Sequence, residues 1–423
     1  MPAKYSINSL EKIMTFLLLA ICLLGIPQIP AQAAESKASE APGFSMDSLR
    51  FIADNLIHTG VGRDSITPIY RPAFLNVSDA GLSMDDNEPV FVVHYPGGLT
   101  RIYPQYIMVW HEVVNDVLPG LPQTAPSPGE GDPAFPSAFI GQFQNQTQGG
   151  GSQAEDTGNS YTISYSPLTG SVVAFRSRGG RYPSSFGNEG KLYNSNSILY
   201  DRFSGSLWSQ LLAVCIEGPL RGRRLERIPV YWARWGGVKY RFPDAQVLSR
   251  ATGMKRSYGR DPYGSYMRGG SYYDDVRLFY PVASQSDRLP PKARILGLEI
   301  EEMYGALVVD AVRREKILNQ GLGLHHIVAI HDAELDRIRV FNRKRPDGSI
   351  LSFQVFENNY VDRDTMSQWN SDGECYYGRL RGQRLEPIMA VDSMWFAWYA
   401  FHPATQVLDR EGSPPPPIRR SAP

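Results

Sequence analysis

Short apolar runs separated by turn residues dominate this chain. PVFVVHY (89–95), YTISYS (161–166), SVVAFRS (171–177), HHIVAI (325–330) and RIRVFNR (337–343) are rich in β-branched and aromatic residues and have strand length. Helical spacing is rarer. In DSLRFIADNLIH (47–58), Asp47 is placed as an N-cap, and Leu49, Ile52, Leu56 and Ile57 fall on one face. In PQYIMVWHEVVNDV (104–117), Pro104 suits a first turn, and Ile107, Trp110 and Val114 recur at helical spacing. The Trp-bearing stretches ahead of PDAQVL (243–248) and HPATQVL (402–408) read as short helices leading into strands. The pattern predicts an α+β, strand-rich fold.

Part of the pattern recurs. The 36 residues from Cys215 and the 36 from Cys375 align without a gap and share 15 identities, among them Gly218/Gly378, Arg221/Arg381, Glu226/Glu386 and Trp235/Trp395. Chance would give roughly two or three. Upstream, after a one-residue shift, Asp201, Arg202 and Trp208 align with Asp362, Arg363 and Trp369. The expected fold is therefore two internally duplicated halves with short helices. Residues 88–250 form the first repeat and 292–410 the second, joined by a Tyr- and Gly-rich connector over 251–291. A helical lead-in over 34–87 precedes them. The Pro-, Gly- and Gln-rich stretch 117–160 reads as a flexible insertion, and the Pro-rich 411–423 as a disordered tail.

The first 33 residues read as a signal peptide. Lys4 and Lys12 precede a 14-residue uncharged run (13–26), and Ala31-Gln32-Ala33 offers a small-x-small cleavage site. Such a run is short for a span, which takes about 20 residues, and no other candidate follows in the mature chain. The expected location is periplasmic or extracellular. There disulfides persist, and Cys215 and Cys375 either pair or remain buried thiols. Forty-three basic residues balance forty-three acidic ones, which argues against a nucleic-acid partner.

Residues 166–171, Ser-Pro-Leu-Thr-Gly-Ser, have the frame of a C-P-L-C-G-S thiol motif with both sulfurs replaced by oxygen. They follow YPQYIMVWHEVVND (103–116) and precede FGNEGKLYNSNSILYDRFSGSLWSQ (186–210), GPLRGRRLERIPVYWARW (218–235), FPDAQVL (242–248) and YGRDPYGSY (258–266). The series resembles the prokaryotic family catalogued as domain of unknown function 3179. That resemblance implies an exported protein without an assigned activity, whose members commonly carry C-P-L-C-G, sometimes with selenocysteine. Ser166 and Thr169 depart from it, as does the 117–160 insertion. Hydroxyls form no disulfide and ionise far above neutral pH, so two-electron thiol exchange at this motif is excluded.

Several residues are candidates for other chemistry. His111, Glu112, Asn115 and Asp116 would pair up on adjacent helical turns. Asn115 stands where a zinc-protease H-E-x-x-H motif needs its second His. Ser166 has the partners for a triad in His111 with Asp116 or Glu112, but no G-x-S-x-G elbow surrounds it. His325 and His331 would share a strand face, with His326 opposite, a weak metal signal alongside His111. Asp201, Arg202 and Trp208 suggest an ion pair and a core aromatic. Asn194 and Asn196 lack counterparts and are better placed to bind. Tyr258, Asp261 and Tyr263, with Arg256, Arg260 and Tyr266, could present a surface to a sugar or an anion, or simply pack as a connector. The leading expectation is a binding protein without thiol redox activity, for a small molecule or an envelope protein. His111, Glu112, Asp116, Ser166, Thr169 and Asn194 would surround one pocket, and no cofactor is named. The alternative is a metal-assisted or hydrolytic enzyme using His111 with a nearby carboxylate.

Overall fold

The computed structural model describes residues 44–95, 98–117, 160–179, 182–183, 185–266 and 269–410. The expected signal peptide, nearly all of the expected insertion and the Pro-rich tail lie outside these residues. The fold is α+β and strand-rich, with short helices at the ends of sheets.

Three stacked sheets organise the first run of strands. The middle sheet has the order Arg227–Ile228, Ser171–Arg176, Ser160–Ser166, Val113–Val117, Ile69–Tyr70. Alternation along Ser160–Ser166 sends Tyr161, Ile163 and Tyr165 to one side, where they meet Phe91, Val93 and Tyr103. Those partners belong to a second sheet, ordered Val230–Arg234, Pro89–His94, Thr100–Pro104, Gln246–Leu248, Phe74–Asn76. On the other side, Val113, Val173 and Phe175 join Phe186, Leu199 and Trp208 of a third sheet. That sheet runs Ile57–His58, Phe186–Tyr193, Asn196–Asp201, Leu207–Ser209, Val214–Glu217. The helix Met46–Asp54 covers its outer face, burying Leu49 and Ile52 against Ile198, Leu212 and Val214.

The later strands form three four-stranded sheets. Ala390–Met394, Arg294–Ile300, Met303–Val308 and Gln406–Leu408 make one, antiparallel except for its last pair. Ile317–Leu322, His325–Asp332, Arg337–Asn342 and Glu386–Pro387 make the next, and Phe353–Phe356, Asn359–Asp362, Gln368–Trp369 and Cys375–Tyr377 the last. Certain buried polar devices occur in both runs. The Asn115 amide accepts from Phe186 N (2.8 Å) and donates to Phe186 O (2.9 Å); Asn319 does the same for Phe353 (2.9 and 2.8 Å). Asp201 accepts from Trp208 Nε1 at 2.9 Å, and Asp362 from Trp369 Nε1 at 3.0 Å.

Several local expectations are revised. Ser45, not Asp47, caps the first helix by accepting from Ser48 N at 3.1 Å. Ile57 leaves that helix and pairs with Leu192 in a strand. The helix Gln105–His111 does not continue to Val114: Glu112 adopts φ 59°, and the β-branched Val113 and Val114 enter a strand opposite Ser164 and Ile163. His111 and Asn115 therefore share no helical face. Arg202 pairs with Asp64 (2.6 Å) rather than with Asp201. Cys215 and Cys375 are buried free thiols, each donating to a carbonyl two residues on, Glu217 O (3.3 Å) and Tyr377 O (3.4 Å). Among the described residues, no helix is long and apolar enough to cross a membrane.

Asn319→Ala would orphan the buried N–H and C=O of Phe353 while leaving the first run untouched. Urea unfolding is expected to show a loss of roughly 2–4 kcal/mol.

Candidate functional site

Glu112 is held where helix Gln105–His111 turns into strand Val113–Val117. Its N–H donates to Met108 O at 2.7 Å and its carbonyl accepts from Tyr165 N at 2.8 Å, which fixes the left-handed turn. Lys316 takes the same turn at φ 63°, after helix Val309–Glu315, so the conformation is architectural. Its consequence at Glu112 is to send neighbouring side chains in different directions. His111 goes to the Thr67 carbonyl (Nδ1 to O, 2.7 Å) and the Tyr258 hydroxyl (Nε2 to Oη, 2.7 Å). Glu112 goes to Ser197.

A carbonyl can only accept, so Nδ1 of His111 carries the proton and Nε2 accepts from Tyr258. Burial holds the imidazole below its usual pKa, favouring this neutral form. Both nitrogens are engaged, and neither has a lone pair free for a metal.

Ser166 and Thr169 lie in the tight turn between Ser160–Ser166 and Ser171–Arg176, both wholly buried. Ser197 Oγ stands 3.0 Å from Glu112 Oε2 and 3.0 Å from Ser166 Oγ, so three side chains form one chain of oxygens. Ser197 N also donates to Ser166 Oγ at 3.3 Å. On the other side of the turn, Asn196 Nδ2 reaches Thr169 Oγ1 (3.0 Å), Ser171 Oγ (3.1 Å) and Gln210 Oε1 (2.9 Å). Asn196 Oδ1 accepts from Leu211 N at 2.9 Å. The connector closes the turn from outside, with Tyr272 donating to Leu168 O at 2.7 Å. The two positions where the motif would carry sulfur are thus satisfied within the protein.

Glu112 and Ser197 line a cavity of about 130 Å³ whose walls include Leu168, Asn188, Lys191, Tyr263 and Phe279. Burial pushes the Glu112 carboxyl up to about 7, opposed only by the Ser197 hydrogen bond. No Lys, Arg or His among the described residues pairs with it. Asn188 donates its Nδ2 to Ile66 O (2.7 Å) and His111 O (3.1 Å), which fixes the amide orientation. Its Oδ1 is buried without a partner. Over the cavity runs the 59–66 segment, tied down by Asp64 N to Asn188 O (2.9 Å) and Arg63 to Glu189 (2.6 Å).

The family model described as Protein of unknown function (DUF3179) matches residues 63–125 and 155–405. The chain belongs to this family. No curated protein and no solved structure matches it. In this DUF3179 chain the matched span includes Glu112, the 166–171 turn, Asn188 and Ser197, all of the polar groups described above.

The remaining candidates lie elsewhere. Asp116 pairs with Arg101 at 3.3 Å, and Asn194 bridges Ala400 O (3.2 Å) and Ala283 N (2.8 Å) as a structural clasp. Of the six side chains expected around one pocket, Glu112, Ser166 and Thr169 share a network; His111, Asp116 and Asn194 are committed to other partners. This separation leaves the hydrolytic alternative without a His111–carboxylate pair, and removes His111 as base for Ser166. His325 and His331 sit at opposite ends of one strand, about 20 Å apart at strand rise, and pair with Glu301 (3.2 Å) and Asp336 (3.0 Å). Tyr258, Asp261 and Tyr263 line an open recess of about 720 Å³. Asp261 is already occupied there by Gln105 Nε2, Tyr273 Oη and Tyr263 N, each at 2.8 Å. Tyr263 alone of the three also lines the small cavity. Sequence reading missed Asn188, Ser197 and Gln210. All three sit in the polar family segment 186–210, but nothing local marks which of its many polar residues turn inward.

A raised carboxyl pKa means the native protein keeps a proton between about 4.5 and 7 that the unfolded chain has lost, so stability falls as pH rises through that window. Relative to Glu112→Gln, which does not titrate, the parent protein is expected to lose up to about 3 kcal/mol between pH 5 and pH 8, read from urea unfolding. Gly190, at φ +77°, has no room for a side chain, because a Cβ there would lie 2.2 Å from Val61 O. Gly190→Ala is expected to lift the 59–66 segment, raising its amide hydrogen exchange at least tenfold over the parent.

Proposed function

We propose that this is an exported, ligand-binding protein of the DUF3179 family, without thiol redox activity, whose site is the cavity beside Glu112. One observation carries the reading. Glu112 is a buried carboxyl with no cation paired to it, and it lines a small cavity together with Ser197, its hydrogen-bond partner. The 166–171 turn serves as the floor. Its Ser166 hydroxyl holds Ser197, and Ser197 holds Glu112. Binding suits this arrangement better than catalysis by Ser166, whose hydroxyl is wholly buried behind Ser197.

Two further elements belong to this proposal. The two runs of strands are copies of one ancestral unit; the paired Asn–Phe and Asp–Trp hydrogen bonds and the recurring left-handed turn support that descent. The first 33 residues direct export, on the strength of their charge and hydropathy pattern.

The test is to express the full chain in a bacterium, recover it from the periplasm and extract bound small molecules under denaturing conditions. The expected result is a mature chain beginning near Ala34, carrying a small molecule that Glu112→Gln fails to retain. A protein that stays in the cytoplasm would overturn export. A periplasmic protein that carries nothing and is stabilised by no member of a small-metabolite panel would overturn binding.

A further inference from the structure

We infer that the cavity beside Glu112 takes a small primary alkylammonium ion. The inference rests on the binding reading above and names its ligand class. The lining presents the Glu112 carboxyl, an acceptor without a counter-ion, where a polar head would sit. The donor beside it, Ser197 Oγ–H, is directed to Glu112 or Ser166, and the Lys191 ammonium of the same lining is held by Glu189 at 3.2 Å. A head group that only donates fits this carboxyl, and an ammonium has three donors and no acceptor. It would also supply the positive charge that Glu112 lacks. Burying a carboxylate without a counter-ion is costly, and pairing it with a hydrogen-bonded cation offsets much of that cost.

The rest of the cavity suits the remainder of such a molecule. Leu168, Leu192 and Ile198 offer an apolar wall, and Tyr263, Phe279 and Tyr280 offer rings able to attract a cation. At roughly 30 Å³ per water-sized group, about 130 Å³ holds some four non-hydrogen atoms, the size of propylammonium. An anion fits poorly at this head-group position, because it would face the Glu112 carboxylate.

On the 186–193 strand, Lys191 Nζ is 3.2 Å from Glu189, which also binds Arg63 of the covering segment at 2.6 Å. That cluster leaves one net positive charge, and Lys191 itself lines the cavity with its ammonium held by Glu189. Tyr263 from the connector feels the Glu112 charge and stays neutral, its own pKa raised by burial. His111 is turned away and neutral. Glu112 is thus the group whose ionisation controls binding.

The experiment compares propylammonium, n-propanol and propionate by calorimetry and amide NMR on the mature protein. Propylammonium is expected to bind at least tenfold more tightly than either analogue at pH 8. Its affinity should fall about a hundredfold by pH 5, following protonation of a carboxyl near 7. Glu112→Gln should lose at least tenfold in affinity for the ammonium. If that variant does not fold, the pH dependence of the parent and its ranking of the three ligands still decide. Propanol or propionate binding as tightly as propylammonium would overturn the ammonium assignment and leave the binding reading intact. If none of the three binds or shifts the amides of Asn188 and Ser197, this inference fails, and the metabolite panel decides the broader reading independently.

Discussion

The strand Ser160–Ser166 is covered on both faces, and this places a strict demand on every polar atom near it. Tyr161, Ile163 and Tyr165 meet an apolar core, whereas Thr162, Ser164 and Ser166 point into a second buried layer. Hydrogen bonds in that layer are completed by side chains of the same sheet and of the sheet beyond. Thr162 finds Asn115 and Ser177, Ser166 finds Ser197, and the Ser164 and Ser171 carbonyls find the Gln210 amide, whereas Ser164 Oγ is left without a partner. An unmade bond here costs about 1–3 kcal/mol, enough to fix side-chain choices several strands away.

The candidate site is what remains when that demand is nearly met. The buried hydroxyls at residues 166 and 169 need partners, and Ser197 and Asn196 provide them. Glu112 is drawn into the same network by a turn that reverses the chain immediately after His111. The carboxyl is then desolvated beside a cavity, with Ser197 as its donor and no cation paired to it. The charge state and the solvation of such a group change together.

The later run of strands carries charged side chains in comparable turns. Where the first run places Glu112 in its left-handed turn, the later run has Lys316, whose Nζ meets Asn358 Oδ1 at 3.3 Å on the surface. Where the first has the hydroxyl-rich 166–171 hairpin turn, the later hairpin carries Asp332 and Arg337; Arg337 pairs with Asp332 (3.3 Å) and Asp372 (2.9 Å), and Ser371 donates to Asp332. Charges paired with charges leave no acceptor waiting. The outer face of the last sheet is also left to solvent, with Phe356 and Tyr376 exposed, whereas Met46–Asp54 covers the corresponding layer of the first run.

The sequence by itself determined the strand-rich α+β class, the five strands read from β-branched alternation, and the family, because these rest on short-range patterns and on motifs kept in order. It also marked Glu112, Ser166, Thr169 and Asn196 as worth attention. It misjudged the 104–117 segment, since helical spacing and strand alternation both fit so short a stretch, and only pairing with residues 160–166 decided between them. Tertiary structure alone decided that His111 and Glu112, adjacent in the chain, face different surroundings, and that Ser197 and Asn188 join Glu112 from 85 and 76 residues away. The physical reason is that a polar residue looks the same in sequence whether water or another buried group completes its hydrogen bonds. Only the stacking of the third sheet on the middle one excludes the water and makes the difference.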